Sequence, residues 1–379
     1  MKHFRRLDEI HALIDRLEEA VHSPENERRK NFGLPTAWFY PETPIAEAKL
    51  FGYDANQLFT DPEFYVEQKL REMIWRWENF PEDDLPLAME IPAWLSHYPE
   101  YTFVGLNVQF DREGVPLFSN DHPLSKDADL RHLKPVDFYT SGWMPRILRW
   151  YEDLRAIVRD RMKVTFNMIW WRGCLDLAVE MRGYDNFIAD TVERPQFLHD
   201  LLKFLTEQRC RWWDAYYRHY DLPVTPTDIG DDWINIPFIS PAIFADFVLP
   251  RYFELEAFHG GIHHIHTCGN QVPVLRYFLQ IKSQRLYNIN AWTDLEKSLA
   301  ILPPEMDLII GLHPNDVLVA DDDQIKQKFH KITTLCQGRK YQIMTSGLTP
   351  ISSSPEDYIR SIRNWNRVAR QILEPIRNK

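Results

Sequence analysis

The stretch LIIGLHPNDVLVADDDQIKQKFHKITTLCQGRKYQIMTS, residues 308–346, contains one complete strand–helix–strand unit. Two short apolar and β-branched runs, 308–313 and 341–346, enclose an amphipathic segment, 321–336, whose first turn is acidic. Acidic side chains favour a helix start because they interact well with the positive end of the helix dipole. A strand, a helix and a second strand in this order are typical of a parallel sheet covered by its connecting helices.

The same alternation extends on both sides of this unit. The other runs that predict strands are 80–94, which lies between Pro-rich loops, 165–170, 261–266 and 285–290. The other segments that predict helices are 195–217, 240–259 and 354–373. Two of these helices begin with Ser-Pro, a capping residue followed by proline at the first helical position. The units are numerous enough to close the sheet, so we predict an α/β fold, a (β/α)8 TIM barrel.

The N-terminal segment has a different pattern. Residues 4–21 place apolar side chains at helical spacing between charged ones, which indicates an amphipathic helix and not a signal peptide. We therefore predict an N-terminal helical extension over residues 1–60 and the (β/α)8 barrel domain over residues 61–379. The helix is expected to pack on its own barrel, and a second copy of the chain, as in a homodimer, or a carrier protein are the alternative partners.

Composition excludes several classes of function. The chain has 379 residues, 44% of them hydrophobic, which suffices for a large core. Its net charge of −11 disfavours nucleic acids and anionic membranes as partners. No run approaches the roughly 20 apolar residues of a transmembrane helix. The four cysteines lie far apart, which is typical of a reducing compartment, so we predict a cytoplasmic protein.

A barrel of this kind carries its active site where the strands end and the following loops begin. Polar or turn-forming residues stand at or just after the predicted strand ends. In chain order the candidates are Glu90, Trp170, Trp171, Arg172, Asp228, His266, Cys268, Asn290, His313 and Ser346. These side chains are expected to converge on one mouth of the barrel.

The segment GIHHIHTCG, residues 261–269, is the strongest candidate for a metal site. Alternation along the strand puts His264 and His266 on the same face, and Cys268 follows two positions later. Imidazole and thiolate groups bind zinc, and a catalytic zinc site has three protein ligands and an open position. His-x-Cys supplies two of the three. The alternative interpretation is a buried histidine hydrogen-bonded to a neighbouring strand beside a cysteine that only packs.

Four blocks in the second half of the chain resemble the uroporphyrinogen decarboxylase superfamily, which includes the cobalamin-dependent methyltransferases. In order they are GDDWINIPFISPAIFADFVLPRYFELEAF (230–258), HIHTCGN (264–270), GLHPNDVL (311–318) and TSGLTPISSSPEDYIRSI (345–362). The resemblance covers roughly residues 160–375. It implies a (β/α)8 barrel, in agreement with the strand and helix pattern.

The resemblance is greater to the methyltransferase branch than to the true decarboxylases. In that branch His-x-Cys holds zinc with a later cysteine after Ser-Gly, a place that Leu348 occupies here. His313 is the first candidate to replace it as third ligand, and Asp228, Asp231 and Asp232 are the others. The decarboxylases have an arginine-rich N-terminal motif, which residues 31–44 lack, so a tetracarboxylate substrate would leave charges unpaired.

The resemblance thus implies a metal-assisted methyltransferase. Zinc would activate a small substrate, a methoxylated aromatic compound or a thiol, for methyl exchange with a corrinoid. The chain has no Asp-x-His-x-x-Gly motif, so the corrinoid is expected on a partner protein. Asp228 or Asp232 is expected to act as general acid or to orient His266. The residues expected to line the substrate site are Trp170, Arg172, Trp233, Asn290 and Trp292.

Two other hypotheses remain open. A metal-independent decarboxylase or lyase would use Glu90 and Asp228 as acid and base. A non-catalytic binding protein would keep the barrel and lack the ligand set, a hypothesis that Leu348 makes credible.

Overall fold

The computed structural model describes residues 4–95, 99–110, 116–118, 122–126, 129–166, 170–352 and 354–377. The strands are β1 Thr36–Pro41, β2 Glu90–Pro92, β3 Val108–Phe110, β4 Pro116–Phe118, β5 Lys163–Thr165, β6 Thr227–Gly230, β7 Ile262–His266, β8 Leu286–Ile289, β9 Asp307–Leu312 and β10 Tyr341–Leu348. The helices of the first half are α1 Leu7–Val21, α2 Pro24–Lys30, α3 Ile45–Phe51, α4 Pro62–Asn79, α5 Pro99–Phe103, α6 Met144–Val158, α7 Cys174–Arg182 and α8 Tyr184–Glu193. Those of the second half are α9 Pro195–His219, α10 Pro241–Ile243, α11 Leu249–His259, α12 Leu275–Phe278, α13 Leu295–Leu299, α14 Asn315–Leu318, α15 Asp322–Leu335 and α16 Pro355–Arg377. A π-helical turn, Phe244–Val248, joins α10 to α11.

Six strands form one parallel sheet in the order β1-β10-β9-β8-β7-β6. The first strand of the chain therefore lies beside the last, as it does in a sheet that curls towards closure. Strands β2 and β5 form a separate parallel pair, and one bridge between Arg172 and Gly230 connects the chain after β5 to β6. The predicted α/β fold with a parallel sheet is confirmed as a curled half-barrel. The pairings of the described residues do not show the complete eight-stranded barrel.

Burial alternates along β9 and along most of β1 and β10, while β6 and β8 contain consecutive buried residues. In β9, Leu308, Ile310 and Leu312 are buried, and the residues between them are only partly covered. In β7 the buried residues are Ile262 and Ile265. The pairing of β6 with β7 is irregular between Ile262 and His264, so alternation holds only from His264 onward, where His264 and His266 lie on the opposite face from the buried Ile265.

The helix starts that the sequence predicted are present. The Ser240 hydroxyl accepts the backbone N–H of Ile243, and Asp321 forms a reciprocal capping box with Gln324. The helix that follows Ser240 widens to a π turn just before Pro250, whose ring clashes with an α-helical carbonyl four residues earlier. Within the described residues no helix combines the length and apolarity that crossing a bilayer requires.

The N-terminal helix packs on the protein itself. The buried face of α1, which includes Ile10, Ile14 and Leu17, lies against α4. Strand β1, which the sequence analysis did not predict, also lies within the first 60 residues and pairs with β10. Its sequence TAWFYP is rich in aromatic residues, which favour strands, but it is short and lies between prolines. The division of the chain at residue 60 stays a prediction.

A buried ion pair fixes the position of β1 relative to the C-terminal helix. The Arg377 guanidinium at the end of α16 pairs with both carboxylate oxygens of Asp84. Asp84 also accepts the backbone N–H of Ala37 in β1, at 2.8 Å. Both charged side chains are at most 5% exposed, so each requires the other as its counter-charge.

We predict that Arg377→Met lowers the free energy of unfolding by about 3–5 kcal/mol, because it leaves the Asp84 carboxylate buried without its counter-charge. Urea denaturation followed by circular dichroism measures the loss. Arg367→Met is the matched control in the same helix, since the Arg367–Asp322 pair is 40% and 46% exposed. It should cost at most about 1 kcal/mol. Equal losses in the two variants would contradict this account of the pair.

Candidate metal centre

The candidate site lies where β6 and β7 end. Strand β6 ends at Gly230 and is followed directly by Asp231 and Asp232, while β7 ends at His266 and is followed two residues later by Cys268. Neighbouring parallel strands have their carboxyl ends at the same edge of a sheet. The acidic pair and the His-x-Cys motif therefore meet at that edge.

Backbone hydrogen bonds hold three chain segments together at this edge. The N–H of Asp231 donates to the carbonyl of His266 at 3.0 Å, and the N–H of Gly230 donates to the carbonyl of Trp171 at 3.0 Å. The N–H of Gly173 donates in turn to the carbonyl of Gly230 at 2.8 Å. The relative position of the three segments is thus set by main-chain geometry and not by flexible side chains.

Three side chains converge at this point. Nε2 of His266 lies 3.4 Å from Sγ of Cys268 and 3.7 Å from Oδ1 of Asp232. Candidate ligand atoms of the three residues all lie within 4.8 Å of one another, and no second group of this kind is found in the described part of the chain. Oδ1 of Asp232 is buried and has no hydrogen-bond partner among the described residues. The donor set of carboxylate, imidazole and thiol suits zinc.

The imidazole of His266 is oriented from its other side. Nδ1 lies 2.9 Å from Oδ1 of Asn288 in β8, and Nδ2 of Asn288 donates to the carbonyl of Ile309 at 3.4 Å. The second contact fixes which end of the amide faces the histidine. Because the amide oxygen only accepts, Nδ1 carries the proton and the Nε2 lone pair points towards Asp232 and Cys268.

Arg172 sets the charge balance of the site. Its guanidinium is buried and pairs with Asp176 at 2.8 Å and with Oδ2 of Asp232. Burial acts to raise the pKa of Asp232, but the charge of Arg172 and its hydrogen bond to the carboxylate outweigh burial, and the pKa is lowered. The carboxylate is therefore kept ionised, with Oδ2 held by Arg172 and Oδ1 directed towards His266.

The environment of the Cys268 thiol raises its pKa, whereas that of Asp232 lowers the pKa of the carboxylate. The residue is at the exposed side of the group, yet the protein around its thiol and the negative charge of Asp232 raise the pKa of Cys268 above its ordinary value. A thiol in this environment stays protonated unless a cation is present. A bound divalent cation would reverse this balance, since a coordinating thiol loses its proton.

The two adjacent aspartates have different surroundings. Asp231 is fully buried and accepts the backbone N–H of Asp176 at 2.7 Å and of Leu175 at 3.3 Å, at the start of α7. The Tyr252 hydroxyl donates to it at 2.8 Å. Burial and the neighbouring Asp176 raise the pKa of Asp231 well above the ordinary value. Asp231 thus caps a helix and holds the loop, while Asp232 faces the site.

The two neighbouring tryptophans lie in different surroundings, and the role of Trp170 in binding substrate stays a prediction. Trp170 is completely buried, and its ring contacts those of Phe103 and Trp212, which is a core position. The ring of Trp171 lies instead on His266, with centroids 5.5 Å apart and planes at 29°. Trp171 was among the candidates at the strand ends but was not chosen as a substrate residue. The two residues follow β5 and are not part of a strand, and Trp170 has a left-handed φ of +47°, so strand alternation could not have told which of the two rings faces the site.

The other predicted substrate residues lie around the loops of the mouth. Trp233 stacks on Tyr184, with centroids 5.0 Å apart. Asn290 is buried and donates to the carbonyls of Thr267 and Gly269, so it supports the loop that carries Cys268. Trp292 is 65% exposed. Their roles in binding substrate stay predictions.

Glu90 and Asp228 are not brought together with the group of three. Glu90 is the first residue of β2 and pairs with Lys163, the first residue of β5, at 3.0 Å. It therefore lies at the amino ends of these strands, away from the edge where the loops form the site. Asp228 is half exposed and its carboxylate lies 3.2 Å from Nδ1 of His263. Their catalytic roles stay predictions.

Neither His313 nor residue 348 belongs to the group of three. Nδ1 of His313 accepts the backbone N–H of Asn315 at 3.1 Å, and its ring contacts Trp292 edge-on. Leu348 is completely buried, and its carbonyl accepts the Tyr358 hydroxyl at 3.0 Å. Asp232 is the side chain that stands with His266 and Cys268.

Comparison with known proteins gives two findings. The sequence profile of the family described as uroporphyrinogen decarboxylase (URO-D) matches residues 98–363. Among solved structures, a methyltransferase from Methanosarcina mazei is similar, with a TM-score of 0.62 and 17% sequence identity over 94% of this chain and 98% of that chain. At this identity the likeness concerns the fold. No curated protein matches the chain.

We predict that Asp231→Ala lowers the free energy of unfolding by about 2–4 kcal/mol, because two backbone N–H groups and the Tyr252 hydroxyl lose their acceptor in a buried place. Urea denaturation measures this change. Asp228→Ala is the control, since it removes only a half-exposed partner of His263 and should cost less than about 1 kcal/mol. A neutral Asp231→Ala would show that Asp231 does not hold the loop.

Proposed function

The chain belongs to the uroporphyrinogen decarboxylase family, and we propose that it is a metal-assisted methyltransferase of that family. The observation that carries the proposal is the group of Asp232, His266 and Cys268 at the carboxyl ends of β6 and β7. The similar fold of the methyltransferase from Methanosarcina mazei supports it.

We propose zinc as the metal, with Asp232 as third ligand in the place of the missing cysteine. A site with one thiolate, one carboxylate and one neutral imidazole is electrically balanced by a divalent cation. Three protein ligands leave the open position that a catalytic zinc requires. The buried Oδ1 of Asp232, which has no hydrogen-bond partner in the described part of the chain, supports its assignment as a ligand.

Neighbouring residues fix the tautomer of His266 and the ionisation state of Asp232. Asn288 holds the Nδ1 proton of His266, so that Nε2 is free to bind. Arg172 keeps Asp232 ionised and occupies only its Oδ2. When bound, zinc supplies Lewis acidity, which polarises the oxygen or nitrogen that carries the methyl group or keeps a thiol substrate as thiolate. Cys268 lies at the exposed side of the group and would be the ligand nearest to solvent if zinc were bound.

The proposed substrate is small, either a methoxylated aromatic compound or a thiol, and the methyl group is exchanged with a corrinoid on a partner protein. The 13 tryptophans of the chain favour the aromatic compound. The guanidinium of Arg172 is already paired with two aspartates, so it is not available to bind a polyanionic porphyrinogen. This supports methyl transfer over porphyrinogen decarboxylation.

We also propose that the curled sheet and the β2–β5 pair belong to one closed (β/α)8 barrel. The pairing of β1 with β10 and the bridge from Arg172 to Gly230 support this arrangement. The proposed location is the cytoplasm, which is supported by four cysteines without a disulfide in the described structure.

We predict that the purified protein contains about one zinc per chain, and that Cys268→Ala and Asp232→Asn each lose it, because a site of two ligands binds zinc weakly. Elemental analysis after gel filtration measures the stoichiometry. His313→Ala is the control and should keep its zinc. Loss of zinc in His313→Ala with retention in Asp232→Asn would make His313 the third ligand. No metal in the parent protein would overturn the proposed function.

We predict that the protein catalyses methyl exchange with free cobalamin and that chelation abolishes the reaction. Two mixtures test both directions: methoxylated aromatic donors with Co(I) cobalamin, and small thiols with methylcobalamin. The visible absorption of the cobalamin follows the reaction, and added zinc should restore it. Glu90→Gln should retain the rate. A reaction that survives chelation and is lost in Glu90→Gln would favour the metal-independent lyase.

A further inference from the structure

We propose that Trp171 is a positioning residue that holds the imidazole of His266 in the plane required for metal binding. This inference rests on the proposed function, since it concerns the same group of three side chains. The sequence placed Trp171 at the mouth of the barrel without a role of its own, and its neighbour Trp170 was expected to bind substrate. The geometry of the two rings supports a different division of roles.

The indole of Trp171 covers the imidazole of His266. Their centroids are 5.5 Å apart and their planes differ by 29°, which is a stacked arrangement. The Arg172 guanidinium carbon lies 5.1 Å from the centroid of the same indole. Trp171 therefore contacts both the histidine and the arginine that pairs with Asp232. The ring thus contacts one proposed ligand, His266, directly and reaches another, Asp232, only through Arg172.

The backbone conformation of Trp170 determines where the ring of Trp171 lies. Trp170 has φ of +47°, a left-handed conformation that residues with a side chain rarely adopt. The ring of Trp170 enters the core and that of Trp171 lies over the end of β6. Strained backbone of this kind is maintained only where the surrounding structure enforces it, and it is concentrated at functional sites.

Gly230 supplies the space for the indole. It is the register neighbour of His266 in the β6–β7 pair, and a Cβ at this position would overlap the six-membered ring of Trp171. Any other residue at 230 would displace the indole from His266. The stacking of Trp171 on His266 therefore requires glycine at position 230, because any Cβ there would overlap the indole. The backbone angles of Gly230 do not require glycine.

The stack adds a second constraint to the histidine. The hydrogen bond that Nδ1 donates to the Asn288 amide oxygen fixes the direction of Nδ1 but leaves the imidazole ring free to rotate about the axis of that bond. The flat contact with Trp171 restricts this rotation, so that Nε2 stays directed towards Asp232 and Cys268. Supporting groups of this kind typically change metal affinity by about tenfold to a hundredfold when they are removed.

The first test uses the metal-free protein. In the parent, the ring current of Trp171 should shift the carbon-bound imidazole protons of His266 upfield in the NMR spectrum. Trp171→Leu and Gly230→Ala should both remove this shift, and Trp171→Phe should keep part of it. Trp77→Leu is the matched control, since Trp77 lies in α4 and contacts Arg29. His266→Gln identifies the resonances.

The second test measures metal binding in the same variants. Co²⁺ alone is added, its affinity is measured by competition with a chelator, and the thiolate charge-transfer and ligand-field bands are recorded. Trp171→Leu and Gly230→Ala should weaken Co²⁺ binding by about tenfold or more and broaden the bands. Trp171→Phe should recover most of the affinity, which a purely structural role in the core would not produce.

The outcomes separate the two proposals. If the parent binds no Co²⁺, the proposed function fails, and the NMR test still decides whether Trp171 positions His266. If the parent binds Co²⁺ and Trp171→Leu and Gly230→Ala leave its affinity and spectrum unchanged, the positioning role is overturned. Trp171→Phe and Gly230→Ala keep the test valid if Trp171→Leu does not fold.

Discussion

The buried guanidinium of Arg172 is the group around which the candidate site is assembled. Its charge is compensated by Asp176 in α7 and by Asp232 after β6. Its backbone N–H donates to the buried Glu100, and its carbonyl accepts from Arg209 in α9. A buried guanidinium without its counter-charges would be strongly destabilising. The segment that follows β5 must therefore lie where Asp176 and Asp232 reach the side chain of Arg172. The same requirement fixes the place of Asp232.

The ion pairs and hydrogen bonds around Arg172 explain why the adjacent Asp231 and Asp232 have different surroundings. Asp231 turns inward, where the N-terminus of α7 and Tyr252 satisfy it, and burial raises its pKa. Asp232 turns towards the mouth, where Arg172 keeps it ionised. Asp231 holds the loop, and Asp232 lies beside His266 and Cys268. The site therefore depends on the stability of its loop as much as on the identity of its ligands.

The candidate ligand set differs in its third member from the set that the family resemblance implies. The chain has the His-x-Cys motif but a buried leucine, Leu348, where the resemblance implies a further cysteine. The proposed ligand set shifts the third donor from the end of β10 to the loop after β6, beside the strand that carries His266. A carboxylate in place of a thiolate makes a harder donor set, which favours a metal that binds oxygen as well as sulfur.

The sequence by itself determined the parallel α/β fold, the strands from β7 to β10, the helix caps and the His-x-Cys pair, since these follow from local periodicity and capping. It ranked His313 above Asp228, Asp231 and Asp232 as third ligand, whereas in the folded chain Asp232 lies with His266 and Cys268. It also selected Trp170 where Trp171 lies on the histidine. Those choices depend on register between strands, on the Arg172 ion pair and on the space left by Gly230. Such contacts between distant segments exist only in the folded chain, and they decide which side chains meet.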